Sequence, residues 1–388
     1  MITIKSADAA LKDYYLDAIS VQLNDGISPF YTAIEKGTDF VSGKDVKLSI
    51  VRNNAGNVMA GTEDGNLPEP YKNRYTAITM PLKNIYGTIE LSDKTLRASR
   101  ENSGAFVNLL DAEMEGLISS AKQNFQRMLF GDGSGKLCTV TQRLANSVYK
   151  VSPIKEYFVG MQVNFRTASG EIATGGEGVY ITKVDMSKNH VYLNSEISDN
   201  VVNGGIYVYG SENNELTGLG AIFDSNKLYG VSKDSDSYFA PYKVDAGGKL
   251  TETALSDVLD HLEEMYNSKV NIILCSYKTR KKIAALVDAN RRVVNSIDAR
   301  TGLGAVTVND IPVYADKYCP DDRILFLNTD DFALYQLCDW EWLEDEDGKI
   351  LKQVPGKAAY SATLVKYAEL ICKKPCGQAM LYNLETTA

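Results

Sequence analysis

The chain has 388 residues, 44% hydrophobic and 23% charged, a globular balance that leaves room for two or three domains. A formal net charge of −9 argues against a dedicated nucleic-acid binder. Six scattered cysteines are too few for a disulfide scaffold, Met1–Lys12 has no apolar signal-peptide core, and no run of about 18 apolar residues could span a membrane.

Taken in order, Ala7–Asp25 is expected to be helical, with Leu11, Tyr14, Tyr15, Ile19 and Leu23 near one face. A polar connector, Ser28–Gly43, follows. Lys44–Arg52 alternates, with Val46, Leu48 and Ile50 on one side and Lys47 and Ser49 on the other. Tyr75–Leu82 alternates again, and Pro81 makes it an edge strand. The intervening Asn53–Asn73 is rich in Asn, Gly and Pro, and loops that long usually carry function or stay disordered. A mobile surface loop is one reading. An arm packed on a neighbouring subunit is the other, because an isolated two-stranded hairpin is marginal. Ile85–Leu91 returns as a strand, and Asp93–Ser99 reads as a helical turn.

Gly104–Phe130 predicts a long helix, the spine of the chain. Phe106, Leu109, Leu110, Met114, Leu117, Ile118, Ala121, Phe125, Met128 and Leu129 recur at steps of three and four. Acids cluster toward its start; Lys122 and Arg127 lie toward its end, as the helix dipole favours. Gly131–Gly135 stops it. Short strands are then expected at Val148–Val151, Gln162–Arg166, Val179–Val184, His190–Leu193 and Ile206–Tyr209, the spacing of a small barrel or sandwich. Beyond Glu215 the pattern is mixed. Leu216–Ile222 is a glycine-punctuated entry. Thr253–Tyr266 is a helix with Leu255, Val258, Leu259, Leu262 and Met265 inward. Val270–Cys275 is a buried strand, and Ser276–Leu286 a helix with Tyr277, Ile283 and Leu286 toward the core. Val306–Val313, Arg323–Asn328 and Ala333–Leu337 are strands. Gly356–Cys372 reads as a strand and its return.

No catalytic set emerges. Gly131–Lys136 fails as a phosphate loop: Phe130 stands where the first glycine belongs, and Leu137 where a Ser or Thr would hold Mg²⁺. Cys372 and Cys376 have no second pair at zinc spacing. The two histidines, His190 and His261, lack a nucleophile-elbow partner. Lys278, Arg280, Lys281, Lys282, Arg291 and Arg292 read as a charged helix face, although a phosphate-facing patch is the other option. Asp330, Asp331 and Glu344–Asp347 read as solvated turns. Twenty-three tyrosines suit wet protein–protein contacts.

The order of these pieces resembles the major capsid protein of tailed bacteriophages, with the fold named after phage Hong Kong 97. The resemblance spans most of the chain. It rests on the hairpin Lys44–Leu82, the spine Gly104–Phe130 and the β-rich block with Phe158–Val163 and Val179–Val184. Further support comes from the entry Leu216–Ile222, from Asn271–Ser276 and Ile311–Val313, and from the Gly356–Cys372 strand. It implies an α+β fold in these parts: N-terminal arm 1–43, extended hairpin loop 44–82, peripheral domain with spine helix 83–137, inserted β-barrel 138–213, axial domain 214–350, and a return to the peripheral domain over 351–388. It implies a non-enzymatic virion protein without cofactor or metal, assembled in the host cytoplasm. Hexamers and pentamers would build an icosahedral shell around double-stranded DNA held without sequence specificity. The acidic charge suits a wall to which DNA must not stick. The expected partners are other copies of the chain, a portal, and scaffolding or decoration proteins; no membrane is involved. Axial contacts would join capsomers' own subunits, peripheral contacts would join capsomers, and hairpins would clamp neighbours through Lys47, Arg52, Glu63, Arg74 and Tyr75. Maturation would shift the hairpin and the spine. No covalent cross-link is expected, and because the sequence starts close to the arm, a separate scaffold or none is expected. Two alternatives stay open: an encapsulin-type compartment, and an enzyme with a dispersed site.

Overall fold

The computed structural model describes residues 28–53, 58, 60, 62–63, 72–94, 103–152, 155–290 and 306–385. The expected helix Ala7–Asp25, most of the loop between residues 53 and 73, and the turn beyond Lys94 lie outside them.

In chain order the first elements are α1 (Pro29–Ala33), β1 (Glu35–Gly37), β2 (Val41–Ser42), β3 (Asp45–Asn53), β4 (Arg74–Pro81), β5 (Lys83–Ser92) and the spine α2 (Ser103–Phe130). Next come β6 (Lys136–Ala145), β7 (Val148–Ser152), β8 (Gln162–Phe165), β9 (Val179–Asp185), β10 (His190–Leu193) and β11 (Gly205–Val208). The third stretch holds α3 (Leu219–Asp224), β12 (Lys227–Leu228), β13 (Val231–Ser232), β14 (Tyr242–Gly248), α4 (Glu252–Tyr266), β15 (Ile272–Cys275) and α5 (Tyr277–Asn290). The last holds β16 (Thr307–Val308), β17 (Ile311–Ala315), β18 (Ile324–Leu327), β19 (Phe332–Trp342), β20 (Lys352–Gln353), β21 (Ala359–Cys372) and β22 (Ala379–Leu384).

The hairpin follows its alternation. Val46 lies opposite Met80 and Ile50 opposite Thr76; Val46, Ile50 and Ile78 are buried, while Lys47, Ser49 and Thr79 face out. Pro81 pairs with Asp45 on the outer strand of the β2-β3-β4 sheet, where its missing N–H costs no ladder bond. The hairpin's apolar side joins the main core with Phe30, Tyr31 and Phe332.

That core lies between the spine and a sheet in which β21 runs between β5 and β19. Met114, Leu117, Phe125, Met128 and Leu129 of the spine are buried, as the stripe predicts. Phe125 meets Tyr31 and Trp340 edge-on, at 5.4 and 6.1 Å between centroids. Gly87 lets the spine approach: a Cβ there would stand 2.7 Å from Leu117 Cδ1. β21 is one strand of 14 residues, not a strand and its return. Between Ala359 and Cys372 there is no Gly or Pro to break it, and the chain reverses only at Pro375–Gly377.

The six strands β6 to β11 close into a barrel in the order β10-β7-β6-β11-β8-β9. Five of them fall where the sequence places them. The first, β6, escapes notice because register shifts after Val140 and after Arg143 break its alternation. The barrel has a core of its own, including Val140, Tyr149, Phe165, Val191 and Ile206. A separate six-stranded sheet has the order β14-β22-β18-β15-β17-β16. Helix α4 starts at Thr251, whose side chain accepts from Ala254 N, and ends at Asn267 in the left-handed conformation. Leu255, Val258 and Leu262 are buried, but Met265 is 62% exposed: it sits in the last turn and faces a cavity described below. Tyr277 is exposed as well, because it opens α5 ahead of the buried Ile283; its ring lies under Arg280.

Candidate subunit interface

The five hairpin residues fall in three places. Lys47 projects from the outer face of β3, and Glu63 is exposed in the loop. Arg74 and Tyr75 open β4 and are exposed. Arg52, at the far end of β3, is half-buried: it forms an ion pair with Asp236 of its own chain and lies over the Tyr238 ring at 5.9 Å. Arg52 and Arg74 thus meet at one cavity of about 640 Å³, lined also by Val51, Ser237, Tyr238, Met265, Tyr266, Lys374 and Cys376. Lys47 and Glu63 do not line it.

Short-range capping builds the wall of this cavity. Asp236 accepts from Tyr238 N at 3.2 Å and holds the turn Ser237–Phe239. The Tyr238 hydroxyl lies 3.3 Å from Val51 O and 3.1 Å from Lys373 O, tying the hairpin to the segment after β21. Burial pushes that hydroxyl's pKa up, so it stays protonated. Lys374 Nζ donates to Tyr266 O at 2.6 Å, at the negative end of α4. Lys374, Tyr238 and Met265 escape a sequence reading, because they converge from three separate segments with no motif among them.

In the main core, buried charges tie the spine to its neighbours. Arg127, in the last turn of the spine, donates to both oxygens of Glu215 at 2.9 and 2.5 Å, and the two side chains are 3% and 2% exposed. Lys366 is fully buried, pairs with Asp339, donates to Gln336 Oε1 at 3.0 Å and lies over Phe125 and Trp340 at 5.7 and 5.6 Å. Burial lowers its pKa. Glu369 Oε1 accepts from Thr217 N at 2.7 Å and from Leu370 N at 3.1 Å, and burial pushes its carboxyl up to about 7. Gly218 and Gly220 bring the entry segment against the spine's end: a Cβ on Gly218 would stand 2.4 Å from Met128 O.

The other candidates settle into structural places. His261 stacks on Tyr242 at 3.8 Å, and His190 lies in the barrel strand β10. Burial pushes the thiols of Cys138 and Cys376 up to about 12 and about 11, so they are poor nucleophiles. Among the described residues no three His, Cys, Asp or Glu side chains gather as metal ligands, and no helix is long and apolar enough to cross a membrane. Lys278 bridges Asp321 at 3.3 Å on an exposed face of α5; Arg291 and Arg292 lie outside the described residues. Glu344–Asp347 form an exposed turn, but Asp331 departs from that expectation. It is half-buried and accepts from Gln378 Nε2 at 3.0 Å, and burial raises its pKa.

A family model described as SU10 major capsid protein matches residues 183–350. In shape, the chain is similar to the capsid protein of cyanophage A-1(L), at 11% identity over 91% of this chain and 90% of that one, with a TM-score of 0.50. The chain has the fold of a phage capsid chain. It is equally similar to the capsid of the native GTA particle, at 11% identity over 92% and 91% of the two chains, TM-score 0.52. The capsid of the empty GTA particle matches at 12% identity over 92% and 90%, TM-score 0.52. No curated protein matches the sequence. The mixed α+β class and the likeness in fold to phage capsid structures stand.

Proposed function

We propose that this chain is the major capsid protein of a tailed phage, built on the Hong Kong 97-like plan, and that it assembles as hexamers and pentamers into an icosahedral head around double-stranded DNA. The observation that carries this reading is a capsid fold matched over nine-tenths of the chain, together with the capsid family model. On this plan residues 1–43 are the N-terminal arm and 44–82 the extended loop. The inserted barrel is 138–213; the peripheral domain is 83–137 together with β19 and β21, which share its sheet, and the axial domain is 214–328 together with β22, which pairs with β14 and β18. A portal and scaffolding or decoration proteins complete the head, and assembly takes place in the host cytoplasm. The chain performs no chemistry. Many modest interfaces, repeated by symmetry, sum to a stable wall.

Negative-stain electron microscopy of the purified chain tests this. Uniform closed shells, or rings of five and six, are the expected result. Extraction of enzyme cargo in place of nucleic acid would assign a protein-filled compartment. A chain that stays monomeric at every concentration contradicts self-assembly.

A further inference from the structure

We propose that the cavity at the far end of the hairpin receives the acidic turn between β19 and β20 of a second copy of this chain, in a head-to-tail contact. This rests on the shell reading above.

The cavity is cationic and partly apolar. Among the described residues Arg52, Arg74 and Lys374 line it and no carboxylate does; Asp236 stands behind Arg52. Val51 and Met265 line it too and are 45% and 62% exposed, with Tyr75 beside them at 60%. Exposed apolar groups ringed by charge mark a contact surface.

The turn has the matching character. Leu343, Glu344, Asp345, Glu346 and Asp347 are all exposed in succession. Lys349, which bridges Asp347 at 3.1 Å, is the one cation among residues 343–349, so the turn remains acidic. Its shape is set in advance: Asp345 N donates to Lys349 O at 2.9 Å, Gly348 N to Asp345 O at 2.8 Å, and Glu346 N to the Asp345 carboxylate at 2.7 Å. A rigid tip loses little entropy on docking.

The two surfaces cannot meet within one chain. Lys373 N donates to Asp331 O, so the Phe332 end of β19 abuts the cavity segment. The Trp342 end leads into the acidic turn. At ~3.3 Å per residue the strand between them measures roughly 30 Å. Complementary surfaces at opposite ends of one rigid sheet pair between copies, and a head-to-tail contact of that kind forms rings when its rotation divides a full turn.

The experiment places cysteines at the proposed contact, Arg74→Cys with Glu346→Cys, in the full chain carrying Cys376→Ala, so that no native thiol lines the cavity. The Arg74 and Glu346 side chains are exposed, so neither of these two substitutions reaches the core. Assembled and oxidised, the double variant should run as ladders of linked copies on a non-reducing gel; each single variant should stay monomeric there. Shells without ladders overturn the proposal. Charge reversal is the second arm: Arg74→Glu or Glu346→Lys alone should lose assembly, and the two combined should recover it. Reversal without loss also overturns it. Carbodiimide treatment of the wild-type assembly is independent of any variant, and should join Lys374 to a peptide containing Glu344–Asp347. A link from Lys374 to any other segment of a second copy contradicts the assignment, whereas a link to the nearby Asp331 of its own chain does not bear on it. Failure of the wild-type chain to associate at all counts against the shell reading itself.

Discussion

Replacing Arg127 by Met would leave the Glu215 carboxylate 2% exposed and facing no cation at the end of the spine. The two charges share two hydrogen bonds, at 2.9 and 2.5 Å, and neither partner reaches water. Breaking such a pair from one side costs about 3–5 kcal/mol, since the surviving charge keeps its desolvation penalty. Arg127→Met and Glu215→Leu should each destabilise the dispersed subunit by that amount. The double variant removes both charges and replaces them with apolar groups of similar reach. It should lie within about 1 kcal/mol of the wild type. Urea unfolding followed by tryptophan fluorescence reports this, because Trp340 packs on Phe125 one half-turn before Arg127. Single substitutions costing less than about 1 kcal/mol would show that water reaches the pair, and would refute a dry junction between spine and entry segment. A double variant as weak as the two singles combined would show that the site needs its charges.

Further consequences follow from the same core. Gly218→Ala should collapse soluble yield or lower the melting temperature sharply, because its Cβ would meet Met128 O at 2.4 Å and Leu129 O at 2.6 Å, backbone atoms that cannot turn aside. Glu369 has a folded pKa near 7, raised from 4.5, so the native state holds the extra proton between those values. Stability is therefore lost as pH rises through that window, on the order of 3 kcal/mol. Glu369→Gln, which can keep accepting from Thr217 and Leu370, should reduce the slope of the profile between pH 5 and 8 in thermal melts, leaving the share of Glu156, whose carboxyl burial also raises to about 7. The fragment 136–213 should fold alone, with dispersed amide resonances, because its apolar core is separate from the other two. Deleting Asn54–Lys72 should spare the subunit's fold, whose hairpin stem is anchored by Val46, Ile50 and Ile78, and abolish shells seen by microscopy.

The legible parts of this fold were those where one face is wet and the other dry. The hairpin, the spine and five of the six barrel strands announce themselves through alternation or helical spacing. β6 did not, because two register shifts destroy its period. The course of β21 reads as a strand and its return because a central strand has no solvent face to mark it. Met265 and Tyr277 fit their helices' apolar stripes, yet the ends of those helices leave both exposed. The cavity was half legible: Arg52 and Arg74 belong to one hairpin, whereas Lys374, Tyr238 and Met265 arrive by tertiary folding alone. The buried charges Arg127, Lys366 and Glu369 look like ordinary surface residues in sequence. Nothing in their spacing reveals that each finds its partner from a distant segment.

The central claim is that copies of this chain close into rings and shells. Native mass spectrometry of the purified protein, taken at rising concentration, tests it most directly. The account predicts discrete species at five and six times 42.7 kDa, giving way to closed particles. A single species at 42.7 kDa throughout, with no larger particle, would contradict it.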